Sequence, residues 1–315
     1  MSTLGSPGAA HLRKKVQNPP QPSAYKIQMS TFFLFIATVL IWGTTWIAIA
    51  LQVGEVPVVV SIFYRFALAG FLMLIGLLVL GRLKFPVHWR FVVLQALCLF
   101  CFNFIGLYKA TTLIPSGLVS VVFSLASMFN AINARIFFGE RITFQVIGAG
   151  VVGTAGIFLL FWHDLFTALS EDTIRGIAWA TFGTIMFSFG NMASRQNSAL
   201  GISPVTANAW GMGIGAVTLL MIIVVTGQPI VPPQGIIYWT ALIYLALIGS
   251  VVAFTTYLLL VQRIGSAKAG YATVIFPVVA LAFSTLFEEF RWTSTALMGA
   301  SLVVLGNFII FARKS

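Results

Sequence analysis

The sequence predicts an all-α integral membrane protein: ten transmembrane helices forming two inverted five-helix repeats, with both termini cytoplasmic. Three observations carry that reading. Of 315 residues, 59% are apolar and 8% charged, whereas a soluble domain carries about 25% charged residues. The chain also repeats itself. Gly156-Ile157-Phe158-Leu159-Leu160-Phe161 returns as Gly306-Asn307-Phe308-Ile309-Ile310-Phe311, Gly43 and Pro57 return as Gly190 and Pro204, Ile114-Pro115-Ser116-Gly117 returns as Ile264-Gly265-Ser266-Ala267, and Gly148 returns as Gly299. The separation drifts from 147 to 151 residues, as small loop insertions produce. Lastly, Lys and Arg gather in alternate connecting segments.

The elements follow in order. Residues 1–30 hold Pro7, Pro19, Pro20 and Pro22 with Arg13, Lys14, Lys15 and Lys26. That composition reads as a disordered, basic cytoplasmic tail; it has no apolar core of signal-peptide length, so no cleaved secretory signal is expected. A bilayer-crossing helix needs about 20 apolar residues, and ten segments supply them. The first repeat, 31–163, holds spans at 32–52, 57–80, 89–108, 116–138 and 142–162. The second, 173–313, holds spans at 174–194, 205–226, 236–260, 268–287 and 293–312. Pro57, Pro86, Pro115, Pro204 and the Pro232-Pro233 pair fall at or near span ends, where a missing amide donor does little harm. Pro277 is the exception, in the middle of the ninth span.

With the amino terminus inside, 14 of the 18 Lys and Arg residues are cytoplasmic, three (Lys109, Arg175 and Arg291) are outside, and Arg65 lies within a span. This asymmetry fixes the orientation and accounts for the net charge of +11 without nucleic acid. Five spans per repeat is an odd number, so the second half enters the membrane opposite to the first. In such inverted pairs the substrate site lies near the midplane between the repeats. Cys98 and Cys101 sit three apart in an apolar run, where a disulfide would be strained; they read as small packing residues.

Trp42-Gly43-Thr44-Thr45-Trp46, then Pro57 followed by Phe63-Tyr64-Arg65-Phe66, then Gly139-Glu140-Arg141-Ile142-Thr143 resemble an EamA-type domain. Ser188-Phe189-Gly190-Asn191 with Arg195, Pro277, and Glu288-Glu289 before Thr293 form a looser second copy. Over about 30–313 the chain resembles the ten-helix branch of the drug/metabolite transporter superfamily. The resemblance implies a multi-pass carrier in a bacterial inner membrane, moving small organic metabolites, often outward, through a cavity built by both repeats. One departure stands out. Phe290-Arg291-Trp292 occupies the place of the Gly-Glu-Arg turn, which leaves open whether Glu288 or Glu289 plays the part of Glu140.

The candidate pathway begins with a polar stripe. Ser116, Ser120, Ser124, Ser127, Asn130 and Asn133 are spaced by three or four residues and share one face of the fourth span. Two readings are open, close helix packing and pathway lining; the two amides favour the second, because an amide facing lipid is costly. In the ninth span Pro277 frees the carbonyl of Thr273, which can bend the helix or meet substrate. Trp42, Thr45 and Trp46 lie mid-span, away from the interfaces where Trp usually sits; with Asn191 they can form an aromatic and polar cradle or simply pack. Asn103 and Tyr257 join the pathway set, with Tyr108, Trp210 and Tyr244 behind them. Arg65 either snorkels toward Glu55 or lipid phosphates, takes a structural partner, or meets a substrate carboxylate.

No Asp, Glu or His lies in mid-span, which argues against midplane proton exchange, a metal site, and an enzyme built on a nucleophile and base. No cofactor is expected. The expected activity is secondary transport of a small neutral or zwitterionic metabolite, an amino acid in the first instance, outward, by alternating access. The rivals are an exporter of bulky apolar drugs or metabolites and a non-transporting membrane scaffold or sensor. The expected partners are a small-molecule substrate and the lipid bilayer, with the chain a monomer or weak homodimer.

Overall fold

Ten helical runs and no strand are present among the described residues of the computed structural model, which are 24–54, 56–163, 170–257, 259–260 and 271–311. The runs are α1 (Ala24–Ala50), α2 (Val58–Val79), α3 (Trp89–Thr111), α4 (Ser116–Phe138), α5 (Phe144–Leu160), α6 (Glu171–Ala199), α7 (Pro204–Thr226), α8 (Ile236–Tyr257), α9 (Tyr271–Phe287) and α10 (Ser294–Phe311). Residues 1–23 of the expected tail, Glu55, and the repeat-mate segment 264–267 lie outside the described residues. Residues 24–30, also expected in the tail, are helical instead. Pro22 is the last proline before them, so nothing stops α1 from running back to Ala24.

The run boundaries follow the chain's punctuation. Pro57 and Pro115 immediately precede α2 and α4, and Pro204 opens α7 with Ser203 capping it by accepting from the Thr206 amide. Six stretches, within α1, α2, α3, α4, α7 and α8, are long and apolar enough to cross a membrane. Apolar segments of α5, α9 and α10 are shorter, at 10–17 residues. The 29-residue α6 carries Glu171, Asp172 and Arg175 near its start.

Among the described residues, the helix runs α3, α4 and α8 depart from regular geometry. α3 contains a π-helical stretch over Ala96–Phe102 and α8 another over Tyr244–Val252. At an offset of 150 these are repeat-mates. α4 loosens into a turn at Ser124-Leu125 before continuing. π stretches redirect side chains and often mark functional sites, and all three irregularities lie on helices that reach the molecule's centre.

α5 packs on α10 and α2 on α7, so in both pairs a helix meets its repeat-mate five places later; α3 packs on α6 and α1 on α9. Small residues allow the close approach that membrane helices use instead of a hydrophobic driving force. A Cβ on Gly106 would lie 2.7 Å from the backbone N of Gly183, so α3 and α6 touch backbone to backbone. A Cβ on Gly156 would lie 2.8 Å from the backbone N of Val303, which brings α5 equally close to α10.

Candidate functional site

A cavity of about 50 Å³ lies between helices of the two halves. Its walls are Trp42, Thr45, Trp46 and Ile49 of α1, Arg65 of α2, Asn103, Phe104 and Leu107 of α3, Phe123 of α4, Phe187 of α6, Gly249 and Phe254 of α8, and Phe276 of α9. One water needs roughly 10–15 Å³ of such space, so the cavity has room for a few waters. A metabolite requires the chamber to widen. The rings interlock: Trp46 stacks on Phe276 at 6.0 Å and meets Phe123 edge-on at 5.4 Å, while Trp42 lies 4.8 Å from Tyr257.

Arg65 is 2% exposed. It does not snorkel outward; its guanidinium turns into the bundle, because α8 offers acceptors there and the rings of α3 offer a face. Nε donates to Ser250 Oγ at 3.1 Å and Nη2 to the Gly249 carbonyl at 3.4 Å. Both acceptors belong to the π stretch of α8, where Ser250 Oγ in turn donates to the Leu245 carbonyl. The guanidinium carbon sits 4.5 Å from the centre of the Phe104 ring, a cation–π contact. Among the described residues no carboxylate pairs with Arg65, and its Nη1 makes no hydrogen bond. A charge buried in a membrane helix costs on the order of 2.5–3.5 kcal/mol on insertion scales.

Two further polar atoms at the cavity wall are buried and unpartnered, Trp46 Nε1 and Asn103 Oδ1. Asn103 follows directly on the π stretch of α3, and its amide nitrogen donates back to the Leu99 carbonyl at 3.2 Å. That bond fixes the amide so that its oxygen is left over. Thr45 donates to the Trp42 carbonyl at 2.7 Å. The wall therefore offers two free donors and one free acceptor among aromatic faces.

The remaining candidates lie elsewhere. The polar stripe of α4 faces neighbouring helices and not the cavity. Ser120 donates to the Gly117 carbonyl at 2.6 Å and is fully buried. Ser127 donates to Asn307 Oδ1 at 2.6 Å, and Asn307 Nδ2 donates to Ser124 Oγ at 3.1 Å, tying α4 to α10. Asn191 donates to Asn130 Oδ1 at 3.3 Å and Asn133 to Ser188 Oγ at 2.8 Å, tying α4 to α6. Asn191 is not among the residues that line the chamber with Trp42, Thr45 and Trp46. Pro277, with Ser124 and Asn307, borders a lateral groove beside α10; α9 runs helical through Pro277, and Thr273 is buried within it. Trp210 donates to the Lys84 carbonyl beside Phe85 and Trp89, away from the chamber. Tyr244 bonds Thr44, and Tyr108 donates to Gln52 Oε1 at 2.8 Å.

The turn after α4 has a clear physical reading. Gly139 adopts φ +69°, the left-handed cap that ends a helix; Glu140 pairs with Arg195 of α6 at 2.6 Å; and Thr143 caps α5 by accepting from the Val146 amide. In the second half Glu289 takes the left-handed position, at φ +54°. Glu288 reaches across to α4, where both carboxylate oxygens accept from the Ser116 amide, at 3.0 and 3.1 Å, and one also accepts from the Ser116 hydroxyl at 2.6 Å. The sequence profile of the EamA-like transporter family matches residues 29–162 and again 174–312.

The chain belongs to the EamA-like transporter family. It is a multi-pass membrane protein of a transporter family. Among its relatives is the Escherichia coli (strain K12) protein named as the uncharacterized inner membrane transporter YedA, 25% identical over 90% of this chain and 93% of that one. Protein PagO of Salmonella typhimurium is 22% identical over 92% of this chain and 95% of its own. The uncharacterized transporter YoaV of Bacillus subtilis is 23% identical over 89% and 97%. A protein crystal structure shares the fold at a TM-score of 0.64 and 19% identity, across 90% of this EamA-like chain and 97% of the other.

Sequence reasoning missed two sets of residues. Phe104, Phe123, Phe187, Phe254 and Phe276 line the chamber, yet nothing separates them from the other Phe residues of a chain that holds 29. Asn307 was legible in principle: it is the polar residue in the apolar echo whose other copy has Ile157.

Proposed function

We infer that this EamA-like protein is a secondary transporter that moves a small neutral or zwitterionic metabolite, an amino acid, outward across a bacterial cytoplasmic membrane. All ten helices cross the bilayer in this reading, as two inverted repeats that rock about the central chamber to give alternating access. The observation that carries it is the chamber's combination of aromatic walls with unpartnered polar atoms of both kinds: donors on Arg65 and Trp46, an acceptor on Asn103. Such groups are costly to bury unmatched, and a zwitterion supplies partners for both. Export of bulky cationic drugs is disfavoured, because they would meet the Arg65 charge.

The test is flux of a radiolabelled metabolite panel in proteoliposomes, with and without an imposed pH gradient. Saturable movement of one or more amino acids is expected, with little effect of the gradient beyond the substrate's own charge, since no midplane carboxylate or imidazole is available to carry a proton. Movement of hydrophobic cations but no amino acid, or strong proton-driven uptake, would overturn this reading.

A further inference from the structure

We propose that Arg65 is the carboxylate-binding residue of the chamber, so that the transported compounds are monocarboxylates with an apolar or aromatic side chain. This deepens the transport reading and rests on it for the location of the site. A guanidinium presents five N–H donors in a planar fork. Arg65 directs one at Ser250 Oγ and one at the Gly249 carbonyl, which anchors the group and leaves Nη1 buried and unpartnered. The anchors are neutral acceptors, and other groups beside the guanidinium are the Phe104 ring and the neutral Tyr108 hydroxyl, so no carboxylate among the described residues neutralises the cation. Arg65 borders the cavity together with Trp46, whose Nε1 is a second free donor. Two free donors bordering the same cavity suit the two oxygens of a carboxylate. Asn103 Oδ1, the free acceptor on α3, suits an ammonium attached to the same carbon skeleton, and the Trp and Phe rings take the side chain. The repeat-mate of Arg65 is Met212. The charge is therefore on one half only, and the ligand is oriented by polarity.

The experiment compares four probes on the purified full-length protein: L-phenylalanine, 3-phenylpropanoate, which lacks the ammonium, and phenethylamine and L-phenylalaninamide, which lack the carboxylate. Binding is read by calorimetry in nanodiscs. Both carboxylates are expected to bind, and both compounds without one to bind at least tenfold more weakly. These measurements use the unaltered protein, so they do not depend on a variant folding. Arg65→Gln is expected to lose at least tenfold in affinity for the carboxylates and to bind phenethylamine no more weakly than the parent does, since a like charge is removed, with Arg65→Lys falling between for the carboxylates. Equal binding of L-phenylalanine and phenethylamine overturns the proposal, as does failure of both carboxylates to bind, whatever substrate the flux panel returns. Arg65-dependent binding of 3-phenylpropanoate but not of L-phenylalanine upholds the carboxylate site and removes the amino-acid reading.

Discussion

Trp46 shows how a single side chain can stabilise and recognise through different atoms. Its ring is 5% exposed and stacked on Phe276, while its Nε1 is a buried donor without a partner. Leaving such a donor unmatched costs about 1–3 kcal/mol. Trp46→Phe keeps an aromatic ring and removes the orphan, so lost packing and relieved desolvation offset one another. The variant is expected to stay within about 1 kcal/mol of the parent in stability, yet to bind L-phenylalanine several-fold more weakly. Thermal unfolding in detergent beside calorimetry checks this, and a large fall in melting temperature with unchanged affinity would make Trp46 a packing residue only. At this scale the sequence revealed residues whose chemistry is out of place in a membrane. Trp42, Thr45, Trp46, Arg65 and Asn103 all stand out in mid-span and all reach the chamber. The Ser and Asn stripe left packing and pathway lining open for a physical reason: spacing shows which face of α4 is polar, but not whether that face meets a cavity or another helix with polar groups of its own, as it does here toward α6 and α10.

At the scale of elements, the two halves use related turns for different contacts. Glu140 pairs with Arg195 near the end of α6, with both side chains about half exposed; Glu288 instead sits at the amino terminus of α4 and satisfies its first amide. A carboxylate there also complements the helix dipole. Glu288→Gln keeps one acceptor and loses the charge, so a loss of about 0.3–1 kcal/mol is expected. Glu288→Ala leaves the Ser116 amide without its acceptor and is expected to cost about 0.5–2 kcal/mol. Thermal unfolding of both variants in detergent provides the ranking, and equal stability of all three proteins would remove Glu288 as a cap. Helix boundaries were legible because proline and apolar length mark them directly. The π stretches of α3 and α8 were not, since one extra residue per turn leaves no mark in an apolar run. They matter all the same: Gly249 and Ser250, which hold Arg65, lie in one, and Asn103 follows the other.

For the whole molecule, the decisive issue is whether the halves enter the bilayer in opposite senses. The packing of α2 on α7 and α5 on α10 has the self-pairing expected of halves related by a two-fold axis, but packing alone does not say which ends share a side. The charge pattern of the sequence predicts the opposed arrangement, in which an outer loop in the first repeat corresponds to an inner one in the second. Leu51, just past α1, and Ser198, near the end of α6, are repeat-mates separated by 147 residues, and both are exposed. Cys98 and Cys101 are buried, so an introduced thiol reports against a quiet background. In intact inverted-membrane and right-side-out vesicles, Leu51→Cys is expected to react with a membrane-impermeant maleimide from the outer face and Ser198→Cys from the inner face. Reaction of both from one face would make the repeats parallel. Parallel halves would be related by an axis along the membrane normal and not by one in the membrane plane, so the inverted-repeat exchange of inward- and outward-open forms inferred here would fail.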